Sequence, residues 1–143
     1  MREALAQARK GADAGEAPVG AIVVSAEGEI LSRAHNSPIG TNDPTAHAEI
    51  LALREAARRT GNYRLTGCVL VATIEPCPMC AGAAVAARVA KIVYGAADPK
   101  AGAVSTLYNI ASDPRLNHRA EVVGGVLADE CAGLLKDFFR KRR

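Results

Sequence analysis

Two short stretches hold side chains that could do chemistry together: His47-Ala48-Glu49 and Pro76-Cys77-Pro78-Met79-Cys80. Two cysteines three residues apart at a helix start lie on one side of its first turn. The unpaired N–H groups and partial positive charge there favour the thiolate, the form of cysteine that binds metal. A histidine at a second helix start can add a third ligand. Two sulfurs and one imidazole suit tetrahedral zinc, with sulfur at about 2.3 Å and nitrogen at about 2.0–2.1 Å. The fourth position is then open to water, whose pKa zinc brings to about 7. Glu49 falls beside such a centre and not in its shell. A carboxylate there can take a proton from the water and deliver it to a substrate nitrogen and the departing amine. His47, Cys77 and Cys80 are therefore the expected ligands of one Zn2+, and Glu49 the expected catalytic residue.

Each motif alone says little. HxE occurs by chance in many chains, and CxxC is shared by zinc sites and redox pairs. A redox pair, however, needs neither His47 nor Glu49. A purely structural zinc site would need a fourth protein ligand. The other two cysteines are poor candidates, because Cys68 sits in the apolar run 68–73 and Cys131 on an apolar helix face. Both read as small buried hydrophobes.

The elements that position these residues alternate between helix and strand. Residues 2–14 repeat Ala and Leu at helical spacing. Residues 19–25 and 29–34 read as strands around a turn at Glu27-Gly28, and 36–44 as a loop of turn formers. A helix is expected from Asp43-Pro44 or Thr45 to a stop at Gly61. Residues 68–73 form a continuously apolar strand, as in a sheet covered on both faces. A helix over roughly 79–88, a strand at 90–94, a weak helix near 103–110 and a strand at 120–123 follow. Residues 127–141 are strongly amphipathic, with Leu127, Cys131, Leu134, Leu135 and Phe138 on one side. The predicted architecture is α/β: a five-stranded mixed sheet between two helix layers, its later strands parallel because helices connect them.

The 143 residues are the size of one domain, so 1–143 is expected to be a single unit with a sufficient core of its own. Hydrophobic residues make up 49% and charged residues 23%, which excludes a long disordered tract. No apolar run approaches the roughly 20 residues of a membrane span, and Met1–Leu5 does not read as a signal peptide. A cytoplasmic protein is expected. With three Tyr, two Phe and no Trp, extensive base-stacking platforms are not. The net charge of +3 is uneven: residues 136–143 carry +4 and the rest −1, so the tail could touch a polyanion.

HxE followed by PCxxC, with a helix and a strand between, is the signature of zinc nucleoside and nucleobase deaminases. Over nearly its whole length the chain resembles the bacterial tRNA-specific adenosine deaminases, which convert wobble adenosine of an arginine tRNA to inosine. The matching blocks include HNSPIGTNDPTAHAEILALREA (35–56), EPCPMCAGAAVAARV (75–89) and VYGAADPKAGAVSTL (93–107), with LNHRAEVVGGVLADECAGLLKDFFRKRR (116–143) completing the match. The resemblance implies a three-layer α/β/α cytidine-deaminase-like fold with zinc on His47, Cys77 and Cys80 and proton transfer by Glu49. It implies that Asn36 and backbone groups near Ala48 hold a flipped base. Asp98, Lys100, Asn117, His118 and Phe139 are the implied anticodon-loop contacts. The implied partners are the tRNA anticodon stem-loop and a second copy in a homodimer, with no membrane. The chain departs from many relatives at Ala97, where Arg is frequent, and at Ile74, where Leu is usual. A free nucleobase deaminase, such as one acting on guanine, is the alternative that shares the zinc chemistry.

Overall fold

The computed structural model of the protein describes residues 1–142. Arg143, the end of the basic tail, lies outside the described residues. The chain runs α1 (Arg2–Asp13), β1 (Gly20–Val24), β2 (Ile30–His35), α2 (Pro38–Thr41), α3 (Ala48–Thr60), β3 (Val69–Ile74), α4 (Pro78–Ala86), β4 (Lys91–Ala96), β5 (Glu121–Val123) and α5 (Ala128–Lys141). A turn of 3-10 helix, Ile110–Ser112, precedes β5.

The five strands form one sheet in the order β2-β1-β3-β4-β5. The β1–β2 and β1–β3 pairs are antiparallel, while β3–β4 and β4–β5 are parallel. This follows from connectivity: a tight turn joins β1 to β2, whereas α4 returns the chain from the end of β3 to the start of β4.

Alternation along the strands sorts the side chains into two layers. Ala21, Val23, Leu70, Ala72, Ile92 and Tyr94 pack under α3 and α4. Ile22 and Val71 face α1, whereas at the ends of β3 and β4 Ile74 and Ala96 depart from the alternation and meet Leu5 and Cys131 from α1 and α5. The α3 face is a stripe of buried alanines, Ala48, Ala52 and Ala56, and α4 buries Ala81 and Ala84. Such small residues at helical spacing let both helices lie close on the sheet. On the other side a Cβ at Gly95 would collide with the Cys131 thiol and the Thr73 carbonyl, so glycine there is what lets α5 seat on β4.

Three expectations change. The helix predicted from 44 or 45 begins at Ala48. The Asp43 carboxylate accepts the Thr45 N–H at 2.8 Å and its hydroxyl at 2.7 Å, closing a turn that competes with helix. The loop predicted for 36–44 contains the single turn α2, which the buried Glu16 carboxylate holds by accepting the N–H groups of Ile39 (3.2 Å) and Gly40 (2.8 Å). The weak helix predicted near 103–110 does not form. The N–H groups of Val104, Ser105 and Thr106 go instead to the Glu75 carboxylate, and those of Leu107 and Ile110 reach back to the Gly102 and Ala103 carbonyls, so no i−4 ladder runs through the segment.

Candidate metal centre

The predicted metal ligands come together at two helix starts on the α3–α4 side of the sheet. His47 is the N-cap of α3 and Cys77 the N-cap of α4, both in extended backbone conformation. Cap positions favour Ser, Thr, Asp or Asn, whose side chains satisfy a helix N–H. Neither His47 nor Cys77 makes such a bond; both side chains point at each other instead. Pro78 opens α4, where its missing N–H costs nothing.

The Cys77 and Cys80 sulfurs lie 3.6 Å apart, and His47 Nδ1 is 3.6 Å from the first and 3.4 Å from the second. A tetrahedral ion at the usual bond lengths separates two sulfurs by about 3.8 Å and a sulfur from a nitrogen by about 3.6 Å. The triangle therefore already has the dimensions of a zinc site, and these three residues are positioned to bind one metal ion. The Cys77 thiol is pulled down to about 5, first by its hydrogen bond with Cys80, with backbone N–H groups of the helix start and His47 adding to the effect. Cys80 moves up, because it keeps the proton of the pair and is buried. The helix start and the paired thiol thus favour the thiolate at Cys77.

Glu49 follows in the first turn of α3 and is only 4% exposed. Its Oε1 has no hydrogen-bond partner, and burial raises its carboxyl above the usual range. A buried carboxyl oxygen without a partner costs stability unless something else meets it. Beside Cys80 and His47, it is placed to exchange a proton with a group held at the metal position. Cys68, just before β3 in the α3–α4 core, and Cys131, in the opposite layer, are buried and free, and neither joins His47, Cys77 and Cys80 as a fourth ligand.

Asn36 stands at the end of β2, beside the same helix start. Its Oδ1 accepts the Ala48 N–H at 2.8 Å, which leaves the amide NH2 as the available donor. The Ala48 N–H is thereby engaged by Asn36. Ala48 fixes how Asn36 is presented.

The remaining predicted residues are more scattered. Asp98 is half-buried in the loop after β4. Its N–H donates to Glu75 at 3.2 Å, and its carboxylate accepts the N–H groups of Lys100 (2.9 Å) and Ala101 (3.2 Å). Asp98 therefore builds the turn, and the exposed Lys100 side chain is presented by it. Asn117 accepts from Arg88 at 3.0 Å, just beyond the C-terminal end of α4, whereas the cysteines sit at its N-terminal end. His118 bonds the Val89 carbonyl at 2.7 Å and ties the segment before β5 to the chain entering β4. Phe139 is 49% exposed on α5, in the layer opposite the ligands. It lines a shallow hollow of about 380 Å³ with Leu135, Lys136 and Arg140. Its neighbour Phe138 is half-buried under the Arg142 guanidinium, 4.1 Å from the ring centre.

Sequence reasoning missed Glu75 and Glu16. The available signal for Glu75 was an acid closing a continuously apolar strand directly before Pro76-Cys77. An acid there must be buried, and hence must have donors.

Comparison with known proteins agrees with this geometry. Residues 1–96 match the family described as the cytidine and deoxycytidylate deaminase zinc-binding region. The chain is 50% identical over 143 residues to the tRNA-specific adenosine deaminase of Bacillus subtilis (strain 168), covering all of this chain and 88% of that protein. A solved structure from a study of A-to-I editing by tRNA:A34 deaminases at the wobble position of transfer RNA superposes with a TM-score of 0.90 at 41% identity, covering 94% of this chain and 97% of that one. A guanine deaminase from Nitrosomonas europaea superposes at 0.82 with 25% identity, over 94% of this chain and 80% of that one. With its zinc-site triangle, its buried glutamate and a match over two thirds of its length, the chain belongs to the cytidine and deoxycytidylate deaminase zinc-binding family.

Proposed function

We propose that this protein deaminates adenosine to inosine at the wobble position of a tRNA anticodon, with an arginine tRNA as substrate. The observation that carries the chemistry is the unpaired, buried Glu49 Oε1 beside the His47–Cys77–Cys80 triangle. The substrate rests on relatives: 50% identity to a tRNA-specific adenosine deaminase outweighs 25% to a guanine deaminase.

His47, Cys77 and Cys80 would hold zinc, which as a Lewis acid makes water nucleophilic near neutral pH. The target base leaves the anticodon loop, where unstacking is cheap, and enters the pocket. The Asn36 amide donates to a ring nitrogen of the base, held in orientation by its bond to Ala48. Water adds at C6 of the adenine. Glu49 accepts the water's proton on its carboxylate, passes it to the ring, and transfers the second proton to the amine. The C6–N bond then breaks and ammonia leaves, so adenosine and water become inosine and ammonia. A carboxyl raised by burial suits a group that must both accept and donate.

Asp98, Lys100, Asn117 and Phe139 are the residues we assign to the RNA. Lys100 and the half-exposed Phe139 offer a cation and an aromatic face, and Asp98 shapes the loop that presents Lys100. The basic α5 end adds attraction for phosphate. The protein acts as a homodimer in the cytoplasm. An apolar hollow between α3 and α4, lined by Ile50, Ala83 and Ala86 over the buried Leu53 with the exposed Tyr63 beside it, suits a second copy, and light scattering at micromolar concentration reads the mass directly. No described helix is long and apolar enough to cross a membrane.

The test is a pair of stem-loops, one with adenosine at the wobble position and one with it moved to a neighbouring loop position. Inosine in the first alone is the expected result; equal deamination of both, or of neither, rejects wobble specificity.

A further inference from the structure

Glu75 is not a ligand, does not carry the proton, and is only 3% exposed. Its carboxylate faces one loop. Oε1 accepts the Asp98 N–H at 3.2 Å and the Thr106 hydroxyl; Oε2 accepts the N–H groups of Val104 (3.3 Å), Ser105 (2.9 Å) and Thr106 (2.9 Å). No arginine, lysine or histidine among the described residues pairs with it. Its charge is met entirely by donors of residues 98–106. The loop is wrapped around it so closely that a Cβ at Gly102 would collide with the carboxylate. A further bond, from the Ala103 N–H to the Pro76 carbonyl at 2.9 Å, fastens the loop one residue before Cys77.

These contacts do more than bury an acid. Glu75 lies two residues from a metal ligand, on the stretch joining β3 to α4. The segment it gathers carries Asp98 and Lys100 and continues into Leu107 and Tyr108, both more than half-exposed or at half exposure. No other carboxylate in the described residues receives so many main-chain donors. Both oxygens must accept, so a neutral isostere, which turns one oxygen into an NH2 group, sets donor against donor.

We propose that Glu75 is a positioning residue that sets the 98–106 loop at a fixed place beside Cys77, and thereby determines how tightly the site engages RNA without touching it. This rests on the tRNA reading above. Charge-assisted bonds to a carboxylate are about twice as strong as neutral ones, and each hydrogen bond lost from a buried group lowers an equilibrium constant about tenfold.

The experiment compares zinc-loaded parent protein, Glu75→Gln and Thr106→Val on the wobble-adenosine stem-loop. It measures KM and kcat separately, zinc per chain, and amide hydrogen exchange along the sequence. Glu75→Gln is expected to raise KM about tenfold or more, with kcat and zinc near the parent values and faster exchange confined to 98–106. Thr106→Val removes one donor from the loop side and is expected to act in the same direction, less strongly. An unchanged KM in a variant whose loop exchanges faster overturns the proposal. So does faster exchange throughout both variants with zinc and kcat falling together, because Glu75 would then merely hold the fold. If the parent protein itself fails on RNA, the substrate reading fails, and the parent arm alone reveals it.

Discussion

Replacing Asn36 separates two jobs that one side chain performs. Its Oδ1 accepts the N–H of Ala48, a fully buried residue, and its NH2 is the donor left for a substrate. Asn36→Ala leaves that N–H unpaired away from water, which costs about 1–3 kcal/mol. For a chain of 143 residues the unfolding entropy is about 0.3 kcal/mol per kelvin, so the midpoint should fall by about 3–10 °C. Asn36→Asp keeps an acceptor for Ala48 and places a negative charge at a helix N-terminus, where it is favourable. That variant should melt within about 2 °C of the parent. Both variants lose the donor and should lose turnover. Calorimetry at one fixed zinc concentration reads the first effect, since bound metal raises every midpoint by mass action. The kcat/KM on RNA reads the second. Asn36 does not perform these two jobs if Asn36→Ala melts with the parent, if Asn36→Asp falls as far as Asn36→Ala, or if Asn36→Asp turns over normally.

Other perturbations follow from the same geometry. Glu49→Gln should keep zinc, lower kcat about 10²–10⁴-fold and leave the melting midpoint no lower, because a buried carboxyl whose Oε1 has no partner is removed; metal analysis, calorimetry and single-turnover kinetics check this. A strong chelator should abolish activity, and added zinc should restore it in the parent but not in Cys80→Ser, as read by metal content and turnover together. Gly95→Ala drives a methyl into Cys131 and the Thr73 carbonyl, so calorimetry should show a loss of about 1–3 kcal/mol with zinc content unchanged.

The layered sheet was legible because its signals are local. An apolar run at 69–74 ends at Pro76, proline and cysteine open α4, and Gly61 stops α3 in the left-handed conformation only glycine takes easily. The ligand set was legible for a related reason: metal chemistry demands particular atoms, and spacing on a helix start fixes where they point. What stayed hidden depends on partners distant in sequence. The start of α3 was misplaced because the Asp43 side chain competes for the Thr45 N–H. The helix expected near 103–110 was lost to a carboxylate some thirty residues earlier. The engaged Ala48 N–H could not be seen without Asn36 beside it, twelve residues back. Local propensity yields wherever a buried charge must collect its donors.

What sets this zinc-site family member apart from free-base deaminases is action on a wobble adenosine in RNA. The most direct measurement is product analysis after zinc-loaded protein meets an arginine-tRNA anticodon stem-loop, with free adenosine, adenine, guanine and cytosine in parallel. Inosine in the stem-loop, with the free compounds unchanged, is the predicted result. Ammonia from a free base and none from the RNA would contradict it, leaving His47, Glu49, Cys77 and Cys80 in their roles but assigning them another substrate.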